Sequence, residues 1–163
     1  MNKLELYLNV IHFCYYKAHY KLHLLTNKIN PFRLIHKLPF QKRRYEKLGI
    51  DIQKEIDSVF GNKNFGMSVT VAGGILLGLL FFLIFGVVGL IHKLFNTDNL
   101  GTIYFIIFGI LSGIVCYVFV FKNDKYIKYF DKFDKWTRDE KRKYCWFTFI
   151  ATIIVFCLWI LSF

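Results

Sequence analysis

The chain has 163 residues, 55% of them hydrophobic and 20% aromatic, with a formal net charge of +11. That apolar content excludes a disordered basic tail, and four cysteines without a CxxC pair imply no disulfide framework. Of the 22 lysines and arginines, 21 fall into two blocks, 3–63 and 122–143, and Lys93 is the exception.

The N-terminal region, residues 1–65, carries 12 Lys/Arg against 5 Asp/Glu. Leu4, Leu8, Ile11, Tyr15, Ala18 and Leu22 recur at steps of three and four, which predicts an amphipathic helix with these residues as its apolar stripe. Glu5, Asn9, His12, His19 and His23 share another side of that helix. His19 and His23 lie four apart, so both imidazoles could reach one ion, and they are the candidate metal ligands. With neither an HExxH motif nor a second ligand cluster, no metal and no cofactor are expected. Glu5, Asn9 and His12 also interrupt what would be the apolar part of a cleavable signal, so the first membrane span is expected to act as its own anchor.

Residues 27–31 read as a break, with Asn30 as an N-cap and Pro31 opening a short helix that Pro39 ends. A second amphipathic helix is predicted over 41–60, with Tyr45, Leu48, Ile52, Ile56 and Val59 on one face and Gly61 as its stop. It holds the basic cluster Lys42, Arg43, Arg44 and Lys47. Beside a membrane span such a cluster suits anionic lipid headgroups or a partner protein; no nucleic-acid motif accompanies it, and no nucleic acid is expected.

Three stretches, 66–91, 101–121 and 145–163, contain no Asp, Glu, Lys, Arg or His. Each comes close to or exceeds the roughly 20 apolar residues that a hydrocarbon layer of about 30 Å demands. The predicted organisation is an interfacial helical region over 1–65, a transmembrane helix over 66–92 and a short outer loop over 93–100. A second transmembrane helix follows over 101–121, then a basic aromatic loop over 122–144, and a third transmembrane helix over 145–163. Gly74 with Gly78, and Gly109 with Gly113, are candidate helix-packing residues, either between the first two spans or between protomers. In the loop, Tyr126, Phe130, Phe133 and Trp136 form an aromatic face expected to touch headgroups or a partner, with lysines on the other side. Thr137 and Glu140 have the spacing of a capping box and mark where the helix of the third span begins.

Basic segments resist translocation, so both blocks are expected in the cytoplasm, the connector between the first two spans outside, and Phe163 at the outer surface of a bacterial inner membrane. The fold class is therefore an all-α integral membrane protein with three transmembrane helices, N-terminal amphipathic helices and a helical loop. No catalytic motif is present and no Asp, Glu, Lys, Arg or His lies within a span, which disfavours an enzyme with a small-molecule substrate or an ion-coupled transporter. The function expected is a non-enzymatic membrane interaction protein, an accessory subunit of a membrane assembly or an immunity-type protein, that meets the anionic inner leaflet and a protein partner or its own copies. The alternative is an oligomerising membrane-perturbing effector, holin-like or a defence-associated pore former.

Overall fold

A computed structural model describes residues 2–36, 38–95 and 101–163, with the side chains of Phe32 and Arg33 left aside. The described residues form eight α-helices and no strand: α1 (Lys3–Ile29), α2 (Phe32–His36), α3 (Pro39–Leu48), α4 (Ile52–Gly61), α5 (Met67–Leu94), α6 (Thr102–Cys116), α7 (Lys125–Asp134) and α8 (Arg138–Leu161). The chain divides into two compact units, Met1–Cys14 with Gly73–Phe163, and Tyr15–Ala72. Helices α1 and α5 each run from one unit into the other.

In the first unit, α5 lies between α6 and α8. Phe81 and Phe85 meet Phe105 at centroid distances of 6.4 and 5.0 Å, and His92 meets Tyr104, so α5 and α6 run antiparallel. Phe82 packs on Phe156 and Trp159, and Phe85 on Phe163, so α8 runs parallel to α5. Close approach is made possible by glycine: a Cβ on Gly86 would lie 2.9 Å from the Trp159 backbone nitrogen, and one on Gly89 would lie 2.8 Å from Ser162 Cβ. Lys93, the lone cation outside the two basic blocks, donates to the Leu161 carbonyl at 3.2 Å. There it neutralises the negative end of α8.

Helix α6 does not stop at Cys116. It continues through a π-helical turn (Tyr117–Phe121) and a 3-10 turn (Lys122–Asp124), in which Asn123 (φ 58°) and Asp124 (φ 52°) both occupy left-handed backbone. Asn and Asp tolerate that conformation better than other residues with a Cβ. The reversal turns α7 away from α6, and the aromatic side of α7 packs against the first half of α1. Phe13 makes edge contacts with Phe130 and Phe133 at 5.3 and 5.5 Å, and Phe130 and Phe133 are fully buried. Thr137 then starts α8 with the expected capping box, its hydroxyl accepting from the Glu140 amide while Glu140 accepts from the Thr137 amide.

The second unit holds the rest of α1, helices α2 to α4 and the first turns of α5. Neither α3 nor α4 has a buried residue. Helix α4 is tied to α1 by a polar and an aromatic contact: the Tyr16 hydroxyl donates to the Gly61 carbonyl at 2.6 Å, and His23 stacks flat on Phe60 at 3.7 Å and 3°. Asn62 Oδ1 accepts from the amides of Asn64 and Phe65 and leads the chain into α5.

Several expectations are corrected. The helix predicted over 41–60 is two helices, because Gly49 adopts φ 64° as a left-handed cap and Asp51 caps α4 through the amides of Gln53 and Lys54. Pro39 opens α3 rather than closing a helix, since its missing N–H costs nothing in a first turn. The apolar stripe of α1 is only partly its buried side. Leu8 is 4% exposed, but Leu4 and Leu22 are 48% and 57% exposed, whereas Asn9 and His12 are 0% exposed and Phe13 and Tyr16 are buried with them. The outer connector expected over 93–100 begins later, because α5 continues to Leu94; residues 96–100, including Asp98, lie outside the described residues.

Candidate functional site

The side of α1 that carries Glu5, Asn9, His12, His19 and His23 organises both units. In the first unit, Glu5 accepts from Lys125 Nζ at 2.8 Å and from the Tyr129 hydroxyl at 3.0 Å. The Lys125 ammonium is the main reason that the Glu5 carboxyl is held below its ordinary pKa, against the opposing effect of desolvation. Asn9 donates to the carbonyls of Glu5 and Phe119 at 2.8 and 3.0 Å, and Lys125 donates to the Val118 carbonyl at 3.2 Å. A π-helical turn leaves carbonyls without their usual partners. Asn9 and Lys125 therefore complete the end of α6. His12 is fully buried among Phe121, Tyr126 and Phe130, with ring centroids 5.6, 5.6 and 5.1 Å away.

In the second unit, His19 Nδ1 and Ser68 Oγ share a hydrogen bond at 3.0 Å. His23 Nε2 lies 3.2 Å from Asp57 Oδ1, which also accepts from Asn27 and Gln53 at 3.3 Å each. Each of the two candidate metal ligands thus has a different partner, and no group of three metal-binding side chains occurs among the described residues. A groove of about 650 Å³ opens beside them, lined by His19, His23, Asn27, His36, Ile56 and Phe60 among others.

The basic cluster Lys42, Arg43, Arg44 and Lys47 is exposed on α3, with Lys42 paired loosely to Glu46 at 3.8 Å. Exposed apolar residues stand near it in sequence, among them Ile35, Leu38, Phe40 and Leu48. The aromatic face of α7 is not a contact surface for headgroups or partners: Tyr126, Phe130 and Phe133 are 7%, 0% and 0% exposed. Their occupant is α1 of the same chain. Trp136, half-buried, stacks between Phe133 and Tyr144 at 4.2 Å from each.

The four expected packing glycines, Gly74, Gly78, Gly109 and Gly113, have nothing within 4 Å of where a Cβ would stand. On α5, Gly73 stands against Phe121, and Gly86 and Gly89 stand against α8. No sequence signal separated these from their neighbours, because all lie in the same glycine-rich helix. The open glycines stand among exposed residues such as Leu77 on α5 and Ile106, Ile110 and Ile114 on α6.

The class that this fold defines is an all-α membrane protein in which three helices are long and apolar enough to cross a bilayer. No protein-family model, curated protein or solved structure matches the chain.

Proposed function

We propose that the chain is a non-enzymatic, multi-pass membrane interaction protein, an accessory subunit of a membrane assembly or an immunity-type protein, that docks a protein partner through its membrane helices. The observation that carries this reading is the pair of open glycine faces, Gly74/Gly78 and Gly109/Gly113, on lipid-exposed helices. In lipid there is no hydrophobic drive between helices, and small residues that admit a neighbouring backbone supply the contact instead. The two basic blocks are assigned to the cytoplasmic face of the cell membrane, with α3 lying at the anionic headgroups. Antiparallel packing of α5 with α6 and parallel packing of α5 with α8 support an alternating course through the bilayer.

The same open faces favour a second reading, an oligomerising membrane-perturbing effector in which they close on further copies of the chain. The polar groups within the spans weigh against a wet pore. Ser112, Thr148 and Thr152 each donate to the carbonyl four residues back in their own helix. Their hydroxyl protons are thus taken up within their own helices.

Two measurements separate these readings. Purification in mild detergent is expected to bring down a heterologous membrane protein, and recovery of a pure homo-oligomer would count for the second reading. Induced expression in cells is expected to leave growth and membrane potential intact; rapid depolarisation would overturn the first reading.

A further inference from the structure

Four free cysteines remain after the site has been described, and two of them, distant in sequence, stand together. Cys14 Sγ on α1 and Cys145 Sγ on α8 are 3.9 Å apart across a sequence separation of 131 residues. Cys14 is 7% exposed, whereas Cys145 is exposed and borders a shallow hollow of about 270 Å³ lined by Arg142, Trp146 and Phe149. Arg142 and Lys143 precede Cys145 in the same helix, so this thiol stands at the charged rim of the third apolar helix rather than deep within it. A disulfide requires the sulfurs to close to about 2.05 Å, which leaves roughly 2 Å to be covered by side-chain rotation and small shifts of the helix ends.

We propose that Cys14 and Cys145 form a reversible dithiol–disulfide pair, oxidised by peroxide, that latches the N-terminal half of α1 to the start of α8. The chemistry runs in two steps. The exposed Cys145 sulfur attacks hydrogen peroxide, an S–O bond forms as the O–O bond breaks, and Cys145 becomes a sulfenic acid with release of one water. Cys14 sulfur then attacks that sulfenic sulfur, the S–S bond forms as the S–O bond breaks, and a second water leaves. Two electrons and two protons pass from the thiols to peroxide. A small dithiol reverses the change by exchange through a mixed disulfide.

Burial sets the pace of the second step. It pushes the Cys14 thiol up to about 12, and the thiolate is the attacking species. Closure is therefore slow at neutral pH and accelerates about tenfold per pH unit as the solution approaches that value. The latch responds to sustained oxidation rather than to a brief pulse.

The test uses the full chain in membrane vesicles, exposed to hydrogen peroxide and then to a maleimide mass tag, with intact and peptide mass spectrometry. The expected result is protection of two of the four cysteines, a linked Cys14–Cys145 peptide, recovery of all four tags after dithiothreitol, and faster linkage at higher pH. A Cys14→Ser chain is expected to accumulate a sulfenic acid at Cys145 that a dimedone probe captures. A Cys116→Ser, Cys157→Ser double variant is expected to link as the wild type does. Four reactive thiols after prolonged alkaline oxidation would overturn the proposal. So would over-oxidised Cys145 beside a free Cys14 in the wild type, or protection that arises only from links between chains.

Discussion

At Glu5 a single carboxylate accepts from both Lys125 and Tyr129, and so ties the first turn of α1 to α7. Because Lys125 lowers its pKa in the folded chain, Glu5 contributes stability that is fully present above its unfolded value. That contribution is lost as pH falls through the lowered folded value. Glu5→Gln is therefore expected to cost about 0.5–1 kcal/mol at pH 7, as befits a partly exposed pair. The difference from wild type should shrink in thermal unfolding followed toward pH 3 in detergent; a difference that stays constant would show that the charge plays no part. A larger effect is expected at Phe130. Fully buried between Phe13, His12 and Tyr126, it should cost roughly 3–5 kcal/mol on substitution by alanine, whereas Lys128→Ala, on the exposed side of α7, should change little. Near-wild-type unfolding of Phe130→Ala would contradict its burial against α1. The aromatic period of α7 was legible in the sequence, but its occupant was not. Periodicity reports that a face is apolar and is silent on whether lipid, a partner or the same chain covers it. The polar side of α1 misled for the opposite reason. Asn9 and His12 are normally placed in solvent, and here they are buried because a π-helical turn needs Asn9 as a donor and three aromatic rings enclose His12.

Among the elements, the membrane helices were the most legible, because a long run without charge has few other uses in a short chain. The capping box at Thr137 was equally readable, since it rests on contacts between residues close in sequence. The break between α3 and α4 was present in the residues Gly49 and Asp51, a left-handed cap followed by an N-cap, but the continuing apolar spacing on either side masked it. Glycine was the hardest residue to assign. Gly86 and Gly89 face α8, while Gly74 and Gly78 in the same helix face open space, and only the helix neighbours distinguish them. A leucine at Gly86 must displace backbone at Leu158 and Trp159, so Gly86→Leu is expected to lower stability by at least about 2 kcal/mol, read as earlier loss of helical signal on heating. Gly74→Leu and Gly109→Leu should leave that signal unchanged. Equal loss in all three would show that the open faces are closed within the chain.

For the molecule as a whole, the parallel pair α5 and α8 and the antiparallel pair α5 and α6 bring the end of α6 and the start of α8 to one end of the bundle. The basic loop lies between those two points, at the same end as Gly73, which approaches Phe121. Lys93 stands at the opposite end with the terminus of α8. Within the first unit, the second basic block and Lys93 thus stand at opposite ends of the bundle, and a membrane-impermeant amine reagent on intact cells should label Lys93 and spare the lysines of the 122–143 block; the reverse pattern would invert the proposed orientation.

The most direct test of a partner-docking role is purification from the native membrane in mild detergent. The wild type would be compared with two double variants, Gly74→Leu with Gly78→Leu and Gly109→Leu with Gly113→Leu. The wild type should carry a heterologous membrane protein in fixed ratio, and at least one double variant should lose it while keeping its helical signal and thermal stability. A wild-type chain that elutes alone or only with copies of itself, or that keeps its partner in both double variants, would contradict the role assigned to these helix faces.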